Sequence, residues 1–294
     1  MTASVLQVAA VLSSVFLTLG KGNRQSLVAY RIGYVFGGQC GSWVKKIAHL
    51  GPEVGRVIGD RHEPSVVQRA LQDVEKVFVL SGPFDIDHEA DRLLMNKAKN
   101  ASVRQIVLIS SSTVHLAEKN SIGVFHREKE MLVERSGVPW TFLRPGAFMS
   151  NALQWVDTIK SQGKVFNPTG AGKFAPISPY DIAAVAALAL DSSGHEGKAY
   201  DLTGSQLLST HDQVHTLSKV IGSPIQCIDI PTELAAERMK ASGIPEILIQ
   251  GLNDRWIRTR NGESTFYANE VERLTGQPAQ TFEAWCYEHR SAFV

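Results

Sequence analysis

From about residue 54 onward, short apolar runs rich in Val and Ile alternate with helix-length amphipathic stretches, the pattern of βαβ units on a parallel sheet. Residues 74–80, VEKVFVL, predict a buried strand ending at Ser81, Gly82 and Pro83. Residues 85–100 repeat apolar positions at helical spacing, with Ala90, Leu93, Leu94 and Ala98 on one face. RQIVLISSS, residues 104–112, predicts a strand closing on three hydroxyls. A helix over 125–136 is stopped by Gly137 at its C-cap, and the strand VPWTFLR over 138–144 is broken by Pro145 and Gly146. Residues 152–160 can be helical, and Asp181 is expected to cap the apolar helix IAAVAALAL. Strands over 200–204 and 225–230 flank a helix over 210–221, capped by Thr210 or Ser209, and helices dominate from 232 to 260. The fold class is therefore α/β, a doubly wound Rossmann-like parallel sheet with a smaller, mainly helical C-terminal lobe. Residues 1–150 are expected to form the sheet domain, with 177–205 returning to it, and residues 151–294 the lobe.

Composition adds bounds. A chain of 294 residues with 44% hydrophobic and 20% charged residues suits a globular protein with a sizeable core. Thirty Lys and Arg against 29 Asp and Glu leave +1, so no global field points to nucleic acid or an anionic membrane. That average is uneven. No acid precedes Glu53, while Lys21, Arg24, Arg31, Lys45 and Lys46 give the first 52 residues +5 and leave −4 for the rest. Cys40, Cys227 and Cys286 have no metal-ligand spacing and predict free thiols in a reducing, cytoplasmic setting, with no metal. The apolar, uncharged start lacks a basic segment ahead of it and is diluted by Ser, Thr and Gln, so a buried strand with an N-terminal extension is expected rather than targeting or a membrane anchor.

In an open parallel sheet, ligands bind beyond the carboxyl ends of strands. Three consecutive ends here carry small residues, hydroxyls or exposed backbone: residues 81–83, 110–112 and 145–148. On these residues the chain resembles the NmrA-like group of atypical short-chain dehydrogenases/reductases. The stretches that carry the likeness are VGRVIGD (54–60), QRALQDVEKVFVLSGP (68–83), VRQIVLISSSTV (103–114), HREKEMLVERSGVPWTFLRPGAFMSNALQW (126–155), FAPISPYDIAAVAA (174–187), YDLTG (200–204) and VERLTGQPAQTFEAW (271–285). The resemblance implies Asp60 near the adenine and Ser81, Gly82 and Pro83 beside the ribose and pyrophosphate of NADP(H) or NAD(H). It implies Ser110, Ser111 and Ser112 below the nicotinamide, Pro145 and Gly146 on the cofactor, and Phe148, Asn151 and Trp155 on the substrate side.

Two departures from the group matter. The YxxxK pair of short-chain dehydrogenases, in which Lys lowers the Tyr pKa for proton exchange, falls on Ile122 and His126. Ser112 and His126 then become the candidate proton donors, since an imidazole exchanges protons near neutral pH. The phosphate-binding turn has its nearest equivalent in residues 17–33, where Gly20 and Gly22 form a GxG and Gln25 replaces the third glycine. Arg24 and Lys21 could pair with phosphates there and, with Arg31, favour NADP(H) slightly. Two explanations stay open: loss of tight dinucleotide binding, or a shifted reading frame over residues 1–50. The resemblance implies an NAD(P)H-dependent oxidoreductase acting on a small organic molecule in secondary metabolism; a homo-oligomer is compatible with the sequence, which does not fix the oligomeric state. The rival readings are a cofactor-sensing regulator and a non-redox isomerase or cyclase.

Overall fold

The computed structural model describes residues 16–20, 30–35, 55–80 and 87–294. Its main sheet contains β1 (Phe16–Gly20), β2 (Tyr30–Val35), β3 (Gly55–Gly59), β4 (Val74–Val79), β5 (Gln105–Ile109), β6 (Trp140–Pro145) and, after two short strands, β9 (Lys198–Leu202). The short strands pair in two small sheets, β7 (Lys164–Asn167) with β11 (Gln226–Asp229) and β8 (Lys173–Phe174) with β10 (Leu208–Ser209). The order β3-β2-β1-β4-β5-β6-β9 is that of a doubly wound α/β sheet. The pairs β2–β3, β4–β5 and β5–β6 are parallel, as the sequence pattern requires.

β1 is the exception. It runs antiparallel to both β2 and β4, so the sheet is mixed at the strand where a parallel one was expected. Chain length accounts for the reversal. Only residues 21–29 join β1 to β2, enough for a hairpin, whereas a parallel neighbour needs a crossover of a dozen or more residues. Gly20 consequently pairs with Val74, at the start of β4 rather than its end.

The helices are α1 (Pro64–Ala70), α2 (Glu89–Asn100), α3 (Ser121–Ser136), α4 (Val156–Gln162), α5 (Pro179–Asp191), α6 (Thr210–Ile221), α7 (Thr232–Ala241), α8 (Glu246–Arg260), α9 (Glu270–Thr275) and α10 (Phe282–His289). None is long and apolar enough, among the described residues, to cross a membrane. α3 begins four residues earlier than its apolar pattern suggested, because Asn120 Oδ1 accepts the amide of Gly123 and starts the helix there. α6 is capped by Ser209, whose side chain and that of Asp212 form a reciprocal capping box. Residues 152–160 divide into a 3₁₀ helix, Met149–Trp155, followed by α4.

The chain forms two compact units: residues 1–110, 125–144 and 183–200, and residues 111–124, 145–182 and 201–294. In the first, all five β5 residues are buried, as a strand covered on both faces requires, and Phe142 stacks on Trp140 at 3.9 Å. In the second, Phe282 and Trp285 of α10 pack with Leu217 and Val220 of α6.

Asp181 does not cap α5. Ser178 Oγ accepts the Tyr180 amide instead, and the Asp181 carboxylate accepts the amide of Gln280 at 3.0 Å. Burial pushes the Asp181 carboxyl up to about 6, the Gln280 bond opposes this, and Glu288 adds repulsion. The folded chain thus holds this proton more tightly than the unfolded chain, so the group's contribution to stability declines as pH rises through 6. Asp181→Asn keeps an acceptor for Gln280 and removes the charge. It should raise unfolding free energy at pH 8 by on the order of 2 kcal/mol and leave it nearly unchanged at pH 4, read from urea midpoints.

The YDLTG segment closes on a glycine for a steric reason. A Cβ on Gly204 would fall 1.9 Å from the Pro176 carbonyl oxygen. Gly204→Ala is expected to cost about 1–3 kcal/mol of stability, again read from urea unfolding.

Candidate functional site

In the first unit, two predicted residues stand at carboxyl ends of parallel strands. Asp60 follows β3, and its carboxylate accepts the His62 amide at 2.9 Å and meets His62 Nδ1 at 2.8 Å. These bonds hold the carboxyl below its ordinary range, so the end of β3 carries a fixed negative charge. Ser110 follows β5, its amide tied to the Leu143 carbonyl at 2.7 Å. Its hydroxyl is a different case. Ser110 is 2% exposed, and its Oγ meets no hydrogen-bond partner among the described residues. A buried hydroxyl left unpaired costs about 1–3 kcal/mol, and this one stands where doubly wound sheets bind ligands.

Gly20 is not brought to these residues. The reversed β1 leaves it beside Val74, at the other end of the strands from Asp60 and Ser110, on the order of 15 Å along the sheet. Gly22, Arg24, Ser81, Gly82 and Pro83 lie outside the described residues. His126, in α3, is partly buried with its ring edge-on to Phe125 at 5.3 Å.

The second unit holds the remaining candidates. Ser111 is extended and caps the 3₁₀ helix Ser112–Leu116. Its Oγ accepts the Thr113 amide at 3.2 Å and the Thr113 hydroxyl at 2.8 Å, which uses both lone pairs and leaves its own O–H to donate. Ser112 is partly exposed in the first position of that helix. The loop after Pro145 is held by backbone bonds: Gly146 N to Leu202 O at 2.9 Å, Ile177 N to Ala147 O at 2.9 Å and Met149 N to Ile177 O at 2.8 Å. Phe148 is partly buried, Asn151 is exposed, and Trp155 packs against the core of its own unit. Ile122, where a catalytic phenol would stand, packs against α8. A Cβ on Gly251 would fall 2.6 Å from Ile122 Cγ1.

The sequence reading missed a buried charged group in the first unit. Lys129, 2% exposed, lies over the Phe125 ring at 5.3 Å and 4.0 Å from Asp91, while His88, also 2% exposed, stacks on the same ring at 4.6 Å. His88 adopts a left-handed backbone conformation (φ 57°) before α2. In the sequence, Phe125 and Lys129 stand four apart, on one face of α3, which is the one local signal for this contact.

These strand ends are the features of a nucleotide fold, and comparison with known proteins agrees. A family described as NAD(P)H-binding matches residues 44–193. The chain belongs to the NAD(P)H-binding family. Similar to this chain is a (4-alkanoyl-5-oxo-2,5-dihydrofuran-3-yl)methyl phosphate reductase of Streptomyces griseus, 36% identical over 251 residues that cover 85% of this chain and 88% of the relative. An NAD(P)H azoreductase of Xenophilus azovorans is 34% identical over 235 residues, 80% of this chain and 82% of the relative. Among solved structures, the NADPH complex of the quinone oxidoreductase QOR2 from Escherichia coli superposes with a TM-score of 0.71 at 25% identity, covering 83% and 87% of the two chains. The chain thus shares its fold and most of its length with NAD(P)H-dependent reductases.

Proposed function

We propose that this chain is an NAD(P)H-dependent reductase of a small, flat, electron-poor molecule, an azo compound, a quinone or an unsaturated lactone. The observation that carries the reading is the buried Ser110 hydroxyl at the carboxyl end of β5, which has no hydrogen-bond partner among the described residues. The relatives' names support the acceptor class, since each printed activity reduces a conjugated group. When bound, the dihydronicotinamide supplies the hydride. The chain's own residues bind, orient and deliver the proton. Ser110 and the donating hydroxyl of Ser111 hydrogen-bond the ribose and carboxamide, Pro145 and Gly146 offer backbone surface, and Asp60 faces the adenine. Phe148 and Asn151 line the acceptor side, with Trp155 supporting them from the core. Ser112 or His126 gives the proton that completes reduction, in place of the absent phenol.

NADPH is favoured over NADH because the solved neighbour QOR2 is named as an NADPH complex, and no metal takes part in the hydride step. The near-neutral net charge supports a small-molecule partner rather than nucleic acid, and the free thiols Cys227 and Cys286 support a reducing, cytoplasmic setting. Titration of the purified chain with NADPH and NADH, followed by cofactor fluorescence, tests the reading: saturable binding of at least one is expected, and binding of neither would refute it. A second reading, a cofactor sensor without turnover, is favoured by Ile122, whose packing on α8 gives the phenol's position a structural duty. Binding without oxidation against any acceptor would select it.

A further inference from the structure

Apart from these residues, β11 and the start of α6 bring a thiol, an imidazole and a carboxylate together in the second unit. Cys227 and Asp229 are two apart on β11, so the strand period turns both to one face. His211 is the second residue of α6. The sulfur, nitrogen and oxygen of the three lie within 4.8 Å of one another, with His211 Nε2 2.9 Å from Asp229 Oδ1. The carboxylate is also aimed from behind. Asn167, fully buried, donates from Nδ2 to Asp229 Oδ1 at 2.7 Å and to the Gly170 carbonyl at 2.9 Å. Asn167 Oδ1 in turn accepts the amide and hydroxyl of Thr169 at 2.9 and 2.7 Å, and Thr169 Oγ1 lies 3.0 Å from the hydroxyl of Thr210, the residue before His211. A buried polar network therefore fixes both the residue that orients Asp229 and the helix turn that carries His211.

We propose that His211, Cys227 and Asp229 form a binding site for a divalent cation of the zinc class. The donor set is one nitrogen, one sulfur and one oxygen, which suits zinc and disfavours magnesium and calcium, whose ligands are oxygens. Zinc bonds of about 2.0–2.3 Å place tetrahedral ligand atoms roughly 3.2–3.7 Å apart, so the observed cluster needs a closure of about 1 Å, within reach of side-chain rotation. His211 and Asp229 are exposed, which gives an ion access from solvent and leaves a fourth position for water. Carboxylate and thiolate together neutralise the ion. A thiol binds the ion as its thiolate, so binding releases a proton. Asn167 supplies the outer hydrogen bond that metal-binding carboxylates ordinarily have. The site stands independently of the cofactor reading.

Cobalt titration of the reduced, metal-stripped full chain tests this. One equivalent should produce a near-ultraviolet thiolate-to-cobalt band, displaced by zinc, with release of a proton. Cys227→Ser should abolish the band, and Asp229→Asn should weaken binding at least tenfold, with far-ultraviolet circular dichroism unchanged in both. Should Cys227→Ser fail to fold, His211→Ala at its exposed position, competed for zinc by a chromophoric chelator, must show the same tenfold loss. No band from the folded wild-type chain would overturn the proposal, as would a band that survives Cys227→Ser or zinc affinity unchanged in His211→Ala.

Discussion

Glu130→Ala is expected to lower the unfolding free energy by about 3–5 kcal/mol, the cost of breaking a buried ion pair by removing one partner. Glu130 is fully buried in α3, and Arg144 of β6 grips both its oxygens, Nε to Oε1 and Nη2 to Oε2, each at 2.8 Å. Arg127 adds a third bond, Nη1 to Oε2 at 3.1 Å. Glu130 itself is closed to solvent, so truncation strips three charge-assisted bonds at once. For a chain of this size the loss corresponds to a fall in melting temperature of roughly 10 °C. Glu134→Ala, which removes the other partner of Arg127 at a partly exposed position, should cost under about 1 kcal/mol. Glu130→Gln should lie between the two. Thermal denaturation of the three variants checks the ranking, and an equal loss for Glu130→Ala and Glu134→Ala would contradict it.

Gly146→Ala should raise the Kd for NADPH about tenfold to hundredfold while leaving the melting temperature within about 1 °C of wild type. The protein itself has room for the methyl. Among the described residues, a Cβ on Gly146 would meet nothing closer than the Leu202 carbonyl at 3.8 Å and the Ala175 carbonyl at 3.9 Å, ordinary contacts, and its φ is not in the left-handed region. Neither sterics within the fold nor backbone conformation demands glycine there. Close approach of the cofactor is the remaining physical reason for one, and only that reason predicts lost affinity without lost stability. Gly204→Ala is the matched control, since its Cβ meets the protein and its penalty falls on stability. Fluorescence titration and thermal melts of the two variants separate the cases.

Much of the fold is legible in the sequence because its strands are short apolar runs with sharp stops. β4, β5 and β6 fall where VEKVFVL, RQIVLI and VPWTFLR predict them, and the strand-end residues Ser110 and Pro145 follow from those boundaries. The HREKEM and LRPG segments that carried the family resemblance are joined in space by the Glu130–Arg144 pair, which gives their pairing a structural reason. What the sequence did not reveal depends on partners distant along the chain. Asp181 was read as a cap because Gln280, 99 residues away, cannot be anticipated from local pattern. The Lys129, Asp91 and His88 cluster was hidden because charged residues on an amphipathic helix are ordinarily solvated. The reversal of β1 comes from a connection too short for a crossover, a length argument that the glycine pattern of residues 17–33 obscured.

The central claim is that this chain transfers a hydride rather than only binding the cofactor. Its most direct test is stopped-flow oxidation of NADPH by the purified full chain with a quinone and an azo dye as acceptors. Loss of the reduced-nicotinamide absorbance with matched appearance of reduced acceptor, over many turnovers, is the predicted result. NADPH that binds and stays reduced in the presence of every acceptor would contradict it.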